Sequence, residues 1–232
     1  MTFEDVRRQV AALVEHELAP VMTLARAYEE AIQPARIGRL GDAEIAEKVG
    51  VLREELATTE ALVGLGFAAG RGTMAAGDNY LFWLLKTAQG IRRLALNLQP
   101  GDPDLYDYHG SEWFTGAQTQ RTPSIYGPYL DYSGAGLLIH TAAVPITRGD
   151  TFIGVAGGDL LADTVEEQLS RLLRGLHGDA LILTRDRVVI AATGSRWLPG
   201  ERLATHPVEG QWASVAPIGD WTGWTIAAGP TD

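Results

Sequence analysis

Ser124-Ile-Tyr-Gly-Pro-Tyr-Leu-Asp131, then Leu137 to Ile146, the turn Arg148-Gly-Asp150 and Phe152-Ile-Gly-Val-Ala-Gly-Gly-Asp159 are three successive apolar runs separated by turn residues. Runs of this length, rich in β-branched and aromatic residues and bounded by Gly, Pro and Asp, predict three consecutive strands. They carry Tyr129, Asp131 and Asp159 out of otherwise apolar surroundings. A carboxylate in such a place needs a partner, because an isolated charge is costly to bury.

Upstream, Phe3, Val6, Val10, Leu13, Leu18, Val21, Leu24 and Tyr28 recur mostly every three or four residues, the stripe of a helix with one buried face. Pro20 is expected to kink it. After a break at Pro34 to Gly41, Asp42 is expected to cap a second helix whose Ile45, Val49, Leu52 and Leu56 share a face. Strands are predicted at Leu62 to Ala68, Tyr80 to Thr87 and Ile91 to Asn97, with Gly90 in the hairpin between the last two. Gln99-Pro-Gly-Asp-Pro103 has the chemistry of a loop, and a short helix follows around Ser111 to Gln118.

Downstream, Asp163-Thr-Val-Glu166 has the form of a capping box, opening a helix with Val165, Leu169, Leu172, Leu173 and Leu176 on its apolar face and Gly178 beyond its end. The tail offers four more strand-like runs: Ala180 to Thr184, Val188 to Ala192, Trp212 to Pro217 and Trp224 to Ala228. Hairpins with helices gathered to one side describe an α+β protein. The chain is thus expected to divide into a helical region at 1–60, a sheet module at 61–162, and a connecting helix with a smaller β unit at 163–232.

With 232 residues, 46% of them hydrophobic, the chain can bury a substantial core. Its 19 Lys and Arg against 29 Asp and Glu give a net charge of -10, which opposes nonspecific attraction to nucleic acid or an anionic membrane, so no direct nucleic-acid binding is expected. Cysteine is absent, which excludes disulfides and thiolate metal sites. The longest apolar stretch, Ala61 to Gly70, is about half of what a membrane-spanning helix requires. Met1-Thr-Phe-Glu-Asp-Val lacks a signal-peptide pattern. As given, the chain is expected to be soluble and cytoplasmic; cut from a membrane-anchored parent, it would be extracytoplasmic.

Catalytic motifs fail on their mechanics. Gly64-Leu-Gly66-Phe-Ala-Ala69 lacks the preceding strand and following helix of a dinucleotide fingerprint and is expected to be a strand packed closely on a helix. His16, His109, His140, His177 and His206 show no metal-protease or deaminase spacing. Ser133 lies after Asp131, where a nucleophile elbow needs glycine. No catalytic residue, metal or cofactor is expected.

The order Trp113-Phe114 on a short helix, Pro128-Tyr-Leu-Asp131, Val144-Pro-Ile146 and Gly154-Val-Ala-Gly-Gly-Asp159 resembles the core of Cache domains, bacterial sensor modules with a long amino-terminal helix and a PAS-like antiparallel sheet. The resemblance is specific across residues 106 to 165. It implies a noncatalytic small-molecule sensor, with the tail looking like a shortened second module of a double Cache protein. It also implies a signalling partner, such as a transcription regulator. In the amino-acid-binding members an Arg two residues before the Trp clamps the ligand carboxylate. Ser111 stands there in this chain, and Phe114 replaces the family's Tyr.

The resemblance therefore favours a cationic amine, held by Tyr129, Asp131 and Asp159 and enclosed by Trp113, Phe114 and Tyr126. Two carboxylates in one pocket repel each other when it is empty, and a bound ammonium relieves that repulsion. Aromatic faces would add about 0.5–2 kcal/mol each. His140 completes the candidate set. With Arg71 or Arg121 it would serve the alternative ligands: a carboxylate, an amino acid or a nucleobase. The bland readings place Trp113 and Phe114 in the core, open an Asx turn at Asp131, and make the chain a structural dimerisation or interaction domain.

Overall fold

In the computed structural model, residues 1–132 and 136–230 are described, and they form two compact units. Ser133, the residue tested as a nucleophile, and Gly134, the far end of the Asx turn that Asp131 could open, lie outside the described residues. The larger unit spans Glu17–Leu161, and the other joins Met1–His16 to Ala162–Asp232.

The first helix, α1 (Phe3–Ala31), runs through Pro20 without interruption. Its Val6, Val10, Val14, Leu18, Val21, Leu24 and Tyr28 are buried, so Val14 takes the place on the stripe that the spacing gave to Leu13. Helix α2 (Asp42–Val51) is followed at once by α3 (Arg53–Thr58), and Ile45, Val49, Leu52 and Leu56 are all buried. The cap of α2 is Gly41 rather than Asp42: its N–H donates to Glu44 at 2.9 Å. Asp42 instead pairs with Arg93 at 2.8 Å and receives the Tyr80 hydroxyl at 2.9 Å, which in that order hold its carboxyl below the usual range.

The sheet of the larger unit contains β1 (Leu62–Ala69), β2 (Leu81–Thr87), β3 (Gly90–Arg93), β4 (Ser124–Leu130), β5 (Leu138–Arg148) and β6 (Thr151–Leu161). All pairs are antiparallel, in the order β3-β2-β1-β6-β5-β4. One face meets α1: the Tyr28 and Phe67 rings lie 4.9 Å apart, and a β carbon at Gly158 would sit 2.5 Å from Val21. Helix α4 (Glu112–Gln120) lies against β4, β5 and β6. It belongs to the opposite face, where Trp113, Phe114 and Ala117 join Ala68, Trp83, Ala143 and Val155 in one core.

Tyr108 ties this face together. Its hydroxyl accepts the Tyr80 N–H at 3.1 Å and lies 2.9 Å from the Ala69 carbonyl, to which it donates. Tyr108→Phe strands both backbone groups in the interior, so unfolding stability should fall by about 1–3 kcal/mol. The midpoint of urea denaturation measures the loss.

The smaller unit carries helix α5 (Ala162–Leu173), which starts directly after β6, with Asp163 inside its first turn rather than at its cap. Its sheet comprises β7 (Ala180–Leu183), β8 (Val189–Ala192), β9 (Trp212–Ile218) and β10 (Trp224–Pro230), in the order β8-β7-β10-β9. Val165, Leu169 and Leu173 of α5 are buried against this sheet, and the Trp197 and Trp212 rings meet at a tilt of 31°, 5.0 Å apart. The fold is therefore α+β, with a long amino-terminal helix, a six-stranded antiparallel sheet and a four-stranded carboxy-terminal sheet.

Candidate functional site

Strand alternation turns Trp83 of β2, Thr141 of β5 and Asp159 of β6 to the face that carries α4. There they line a cavity with Leu81, with Trp113 of α4, and with Tyr129 and Asp131 at the end of β4. Leu94, Leu96 and Tyr106, from the irregular segment after β3, complete the lining. The free volume is about 20 Å³, little more than the space of one water. A ligand of several heavy atoms enters only if part of this lining yields, and beyond the Leu94 N–H, which donates to the Trp83 carbonyl at 2.8 Å, the segment up to Tyr106 carries no strand.

Asp159 is the chemical centre. Its Oδ2 accepts the Trp83 indole N–H at 2.7 Å and its Oδ1 accepts the Thr141 hydroxyl at 2.8 Å. Burial pushes its carboxyl up to about 7, the two hydrogen bonds oppose that rise, and the charge of Asp131 adds to it. Buried carboxylates raised in this way, beside a second acid in a cavity, cluster at functional sites. Tyr129 lies 2.6 Å from the Thr141 hydroxyl oxygen. Thr141 has one proton, which goes to the ionised Asp159, so Tyr129 must be the donor to Thr141. Burial and the two Asp charges hold the Tyr129 and Tyr106 hydroxyls protonated well above the ordinary tyrosine value.

The structure brings four of the seven sequence-predicted residues together: Trp113, Tyr129, Asp131 and Asp159 line one cavity. Phe114 faces away from it, edge-on to Tyr108 at 5.1 Å and to Phe152 at 5.6 Å. Tyr126 lies against Gly116, where a β carbon would meet its hydroxyl group. His140 is buried on the opposite side of β5 from Thr141, where desolvation pushes its imidazole down to about 4. Neither Arg71 nor Arg121 reaches the cavity: Arg71 lies beside Asp78 at 3.9 Å and Arg121 over the Phe152 ring at 5.0 Å.

Sequence reasoning missed Trp83, Thr141 and Tyr106 among the lining residues. The available signal was the set of glycines at Gly64, Gly66 and Gly157. A β carbon there would sit 2.7 Å from the Trp83 Nε1, 2.5 Å from its Cε3 and 2.4 Å from its Cη2. The glycines make a trough for an indole ring. The Gly64-Leu-Gly66 motif is indeed a strand, but what its glycines admit is Trp83 rather than a helix.

The family model described as methyl-accepting chemotaxis protein-like, first PDC sensor domain, matches residues 50–167. The methyl-accepting chemotaxis protein PscA of Pseudomonas syringae pv. tomato (strain ATCC BAA-871 / DC3000) is 24% identical over 203 residues, 87% of this chain. The aligned region spans 30% of that protein's length. Among solved structures, the ligand-binding domain of the Pseudomonas aeruginosa PAO1 amino acid chemoreceptor PctC, in complex with GABA, aligns at TM-score 0.57 and 18% identity, covering 94% of this chain and 92% of that one. The ligand-binding domain of the Pseudomonas fluorescens chemoreceptor CtaA with L-isoleucine aligns at TM-score 0.61 and 16% identity, over 97% and 87%. Among the described residues no helix is long and apolar enough to cross a membrane. The matched family span runs from the last turn of α2 through the whole cavity-bearing sheet into α5, and the chain accordingly belongs to the family of methyl-accepting chemotaxis protein-like first PDC sensor domains, a Cache-type, noncatalytic ligand-binding fold.

Proposed function

We propose that this chain is the extracytoplasmic sensing part of a bacterial signalling receptor, and that its ligand presents a protonated amino group to Asp159, Asp131 and Tyr129. The observation that carries this reading is the charge of the cavity: two carboxylates line it, and none of its lining residues is Arg or Lys. A cation entering it offsets the mutual repulsion of the acids and the desolvation that raises Asp159. Trp113 and Tyr129 add aromatic faces suited to the same charge. Release of protein strain or a change in population between two conformations would pass the signal on, provided the ligand prefers one of them.

Whether the ligand also bears a carboxylate divides two readings. The related domains were solved with GABA and L-isoleucine, both of which carry ammonium and carboxylate, and these relatives favour an amino-acid-like ligand over a plain amine. Against this, Ser111 at the amino-terminal cap of α4 occupies the position where the resemblance expects a carboxylate-binding Arg. Neutral donors would have to replace that guanidinium. Ser111 and a cavity lining without Arg or Lys support the reading of an amine without a carboxylate.

Calorimetry with two matched pairs separates the readings: propylamine against 4-aminobutanoate, and 2-methylbutylamine against L-isoleucine. The amines are expected to bind at least about tenfold more tightly than their carboxylated partners, because an unmatched carboxylate loses hydration on entry. Binding of the amino acids but not of the amines would overturn the carboxylate-free assignment. Failure of all four would overturn the ammonium reading.

A further inference from the structure

We infer that Trp83 and Thr141 are positioning residues that hold the Asp159 carboxylate in one orientation and in its ionised form, and so set the pH range over which the cavity recognises an ammonium group. The ligand part of this inference rests on the reading above. The geometry of the carboxylate stands independently of it.

Each Asp159 oxygen takes one bond from a neutral donor, Oδ2 from Trp83 at 2.7 Å and Oδ1 from Thr141 at 2.8 Å. Bonds to the charged form of an acid favour that form. A carboxylate oxygen accepts two hydrogen bonds, so each keeps one lone pair for a guest. The other groups around it give no help. Gly64 faces it from β1, Trp113 stands on α4, Tyr106 comes from the segment after β3, and Asp131 repels it from the end of β4. Burial and Asp131 therefore oppose ionisation, and the indole N–H and the threonine hydroxyl are the counterweights.

The fold is arranged to deliver that indole N–H. Gly64, Gly66 and Gly157, on two neighbouring strands, leave the trough in which the ring lies, and a β carbon at any of them would collide with it. Thr141 acts in the same way from β5 and has a second consequence. Because its single proton goes to Asp159, it accepts from Tyr129 at 2.6 Å. That polarity commits the Tyr129 proton and leaves the Tyr129 oxygen as an acceptor. Asp159 ionised thus presents acceptors on two residues at once.

The test uses Trp83→Phe, which keeps a ring and removes the N–H, and Thr141→Val, which keeps the shape and removes the hydroxyl. The Asp159 carboxyl is titrated by carbon NMR in the ligand-free protein, and propylamine and 2-methylbutylamine are titrated by calorimetry at pH 6, 7 and 9. In each variant the titration midpoint of Asp159 is expected to rise by about one pH unit. Amine affinity should fall about tenfold at pH 6 and less than about twofold at pH 9, because one unit of midpoint changes the ionised fraction tenfold only below it. An unchanged midpoint with an equal affinity loss at every pH would show that both residues merely pack, and would overturn the inference. A raised midpoint in a protein that binds neither amine supports the positioning role and removes the ligand reading alone.

Discussion

Asp159→Asn is expected to weaken amine binding at least about 100-fold at pH 8 while leaving the ligand-free protein as stable as the wild type or more so. Removing one partner of a buried charge pair costs about 3–5 kcal/mol, which is the affinity that the cation loses. The ligand-free protein has no such pair to lose. Its Asp159 carboxyl titrates at about 7, against 3.8 for an unperturbed Asp. Between those values the folded state holds a proton that the unfolded chain has released, so the contribution of this group to stability falls as pH rises from about 4 to about 7. Above 7 the ionised, buried carboxylate is at its most costly. Asn does not titrate, so the melting temperature of the variant relative to wild type should climb between pH 5.5 and pH 8. An equal difference at the two pH values would show that Asp159 is not the titrating group. Binding carries the opposite sign of pH dependence: the ammonium selects the ionised acid, so wild-type affinity should drop about tenfold per unit below pH 7, with protons released on binding.

Much of the molecule was legible from apolar spacing and turn residues, and the exceptions have specific causes. Leu94, Leu96 and Leu98 alternate as a strand would, yet β3 ends at Arg93 and these side chains pack against the cavity core instead. Alternation marks which side chains are buried and says nothing about whether their backbone has a ladder partner. Trp83 was hidden because every position of β2 from Leu81 to Leu85 is buried, so no periodicity separates the cavity face from the other. Thr141 was hidden by register. Continued regularly from Arg148↔Thr151 and Thr147↔Phe152, the β5–β6 ladder would set His140 opposite Asp159, but the shift between Ile146 and Thr147 sets Thr141 there. A one-residue slip moves every side chain to the other face, and it carries His140 out of the site. The acids were legible for the opposite reason: Asp131 and Asp159 sit in apolar runs where a charge has no local explanation.

Glu17→Ala is expected to lower unfolding stability by about 3–5 kcal/mol, a large share of what holds an ordinary domain together. Glu17 is buried on α1, and its carboxylate accepts three consecutive backbone N–H groups, those of Glu60 at 3.2 Å, Ala61 at 2.9 Å and Leu62 at 3.0 Å. Hydrogen bonds to a charged acceptor contribute about 1.5–3 kcal/mol each, and buried donors left without one cost a similar amount. Lys86 supports the same corner by donating to the Thr59 carbonyl at 2.6 Å. The same corner also leads toward the cavity. Glu17 and Leu161 are the residues at which the chain enters and leaves the larger unit, and both bond to Ala61: its N–H donates to the Glu17 carboxylate, and its carbonyl accepts the Leu161 N–H at 2.9 Å. Ala61 leads into β1, whose Gly64 pairs with Asp159. A loosened start of β1 should therefore displace the carboxylate and weaken amine binding severalfold in addition to lowering the urea midpoint. Glu17→Gln keeps one carbonyl oxygen for the same amides and should recover part of both losses. If the alanine variant lost less than about 1 kcal/mol, water would have to be serving those three amides, and the corner would not be the rigid link between α1 and Asp159 that its geometry describes.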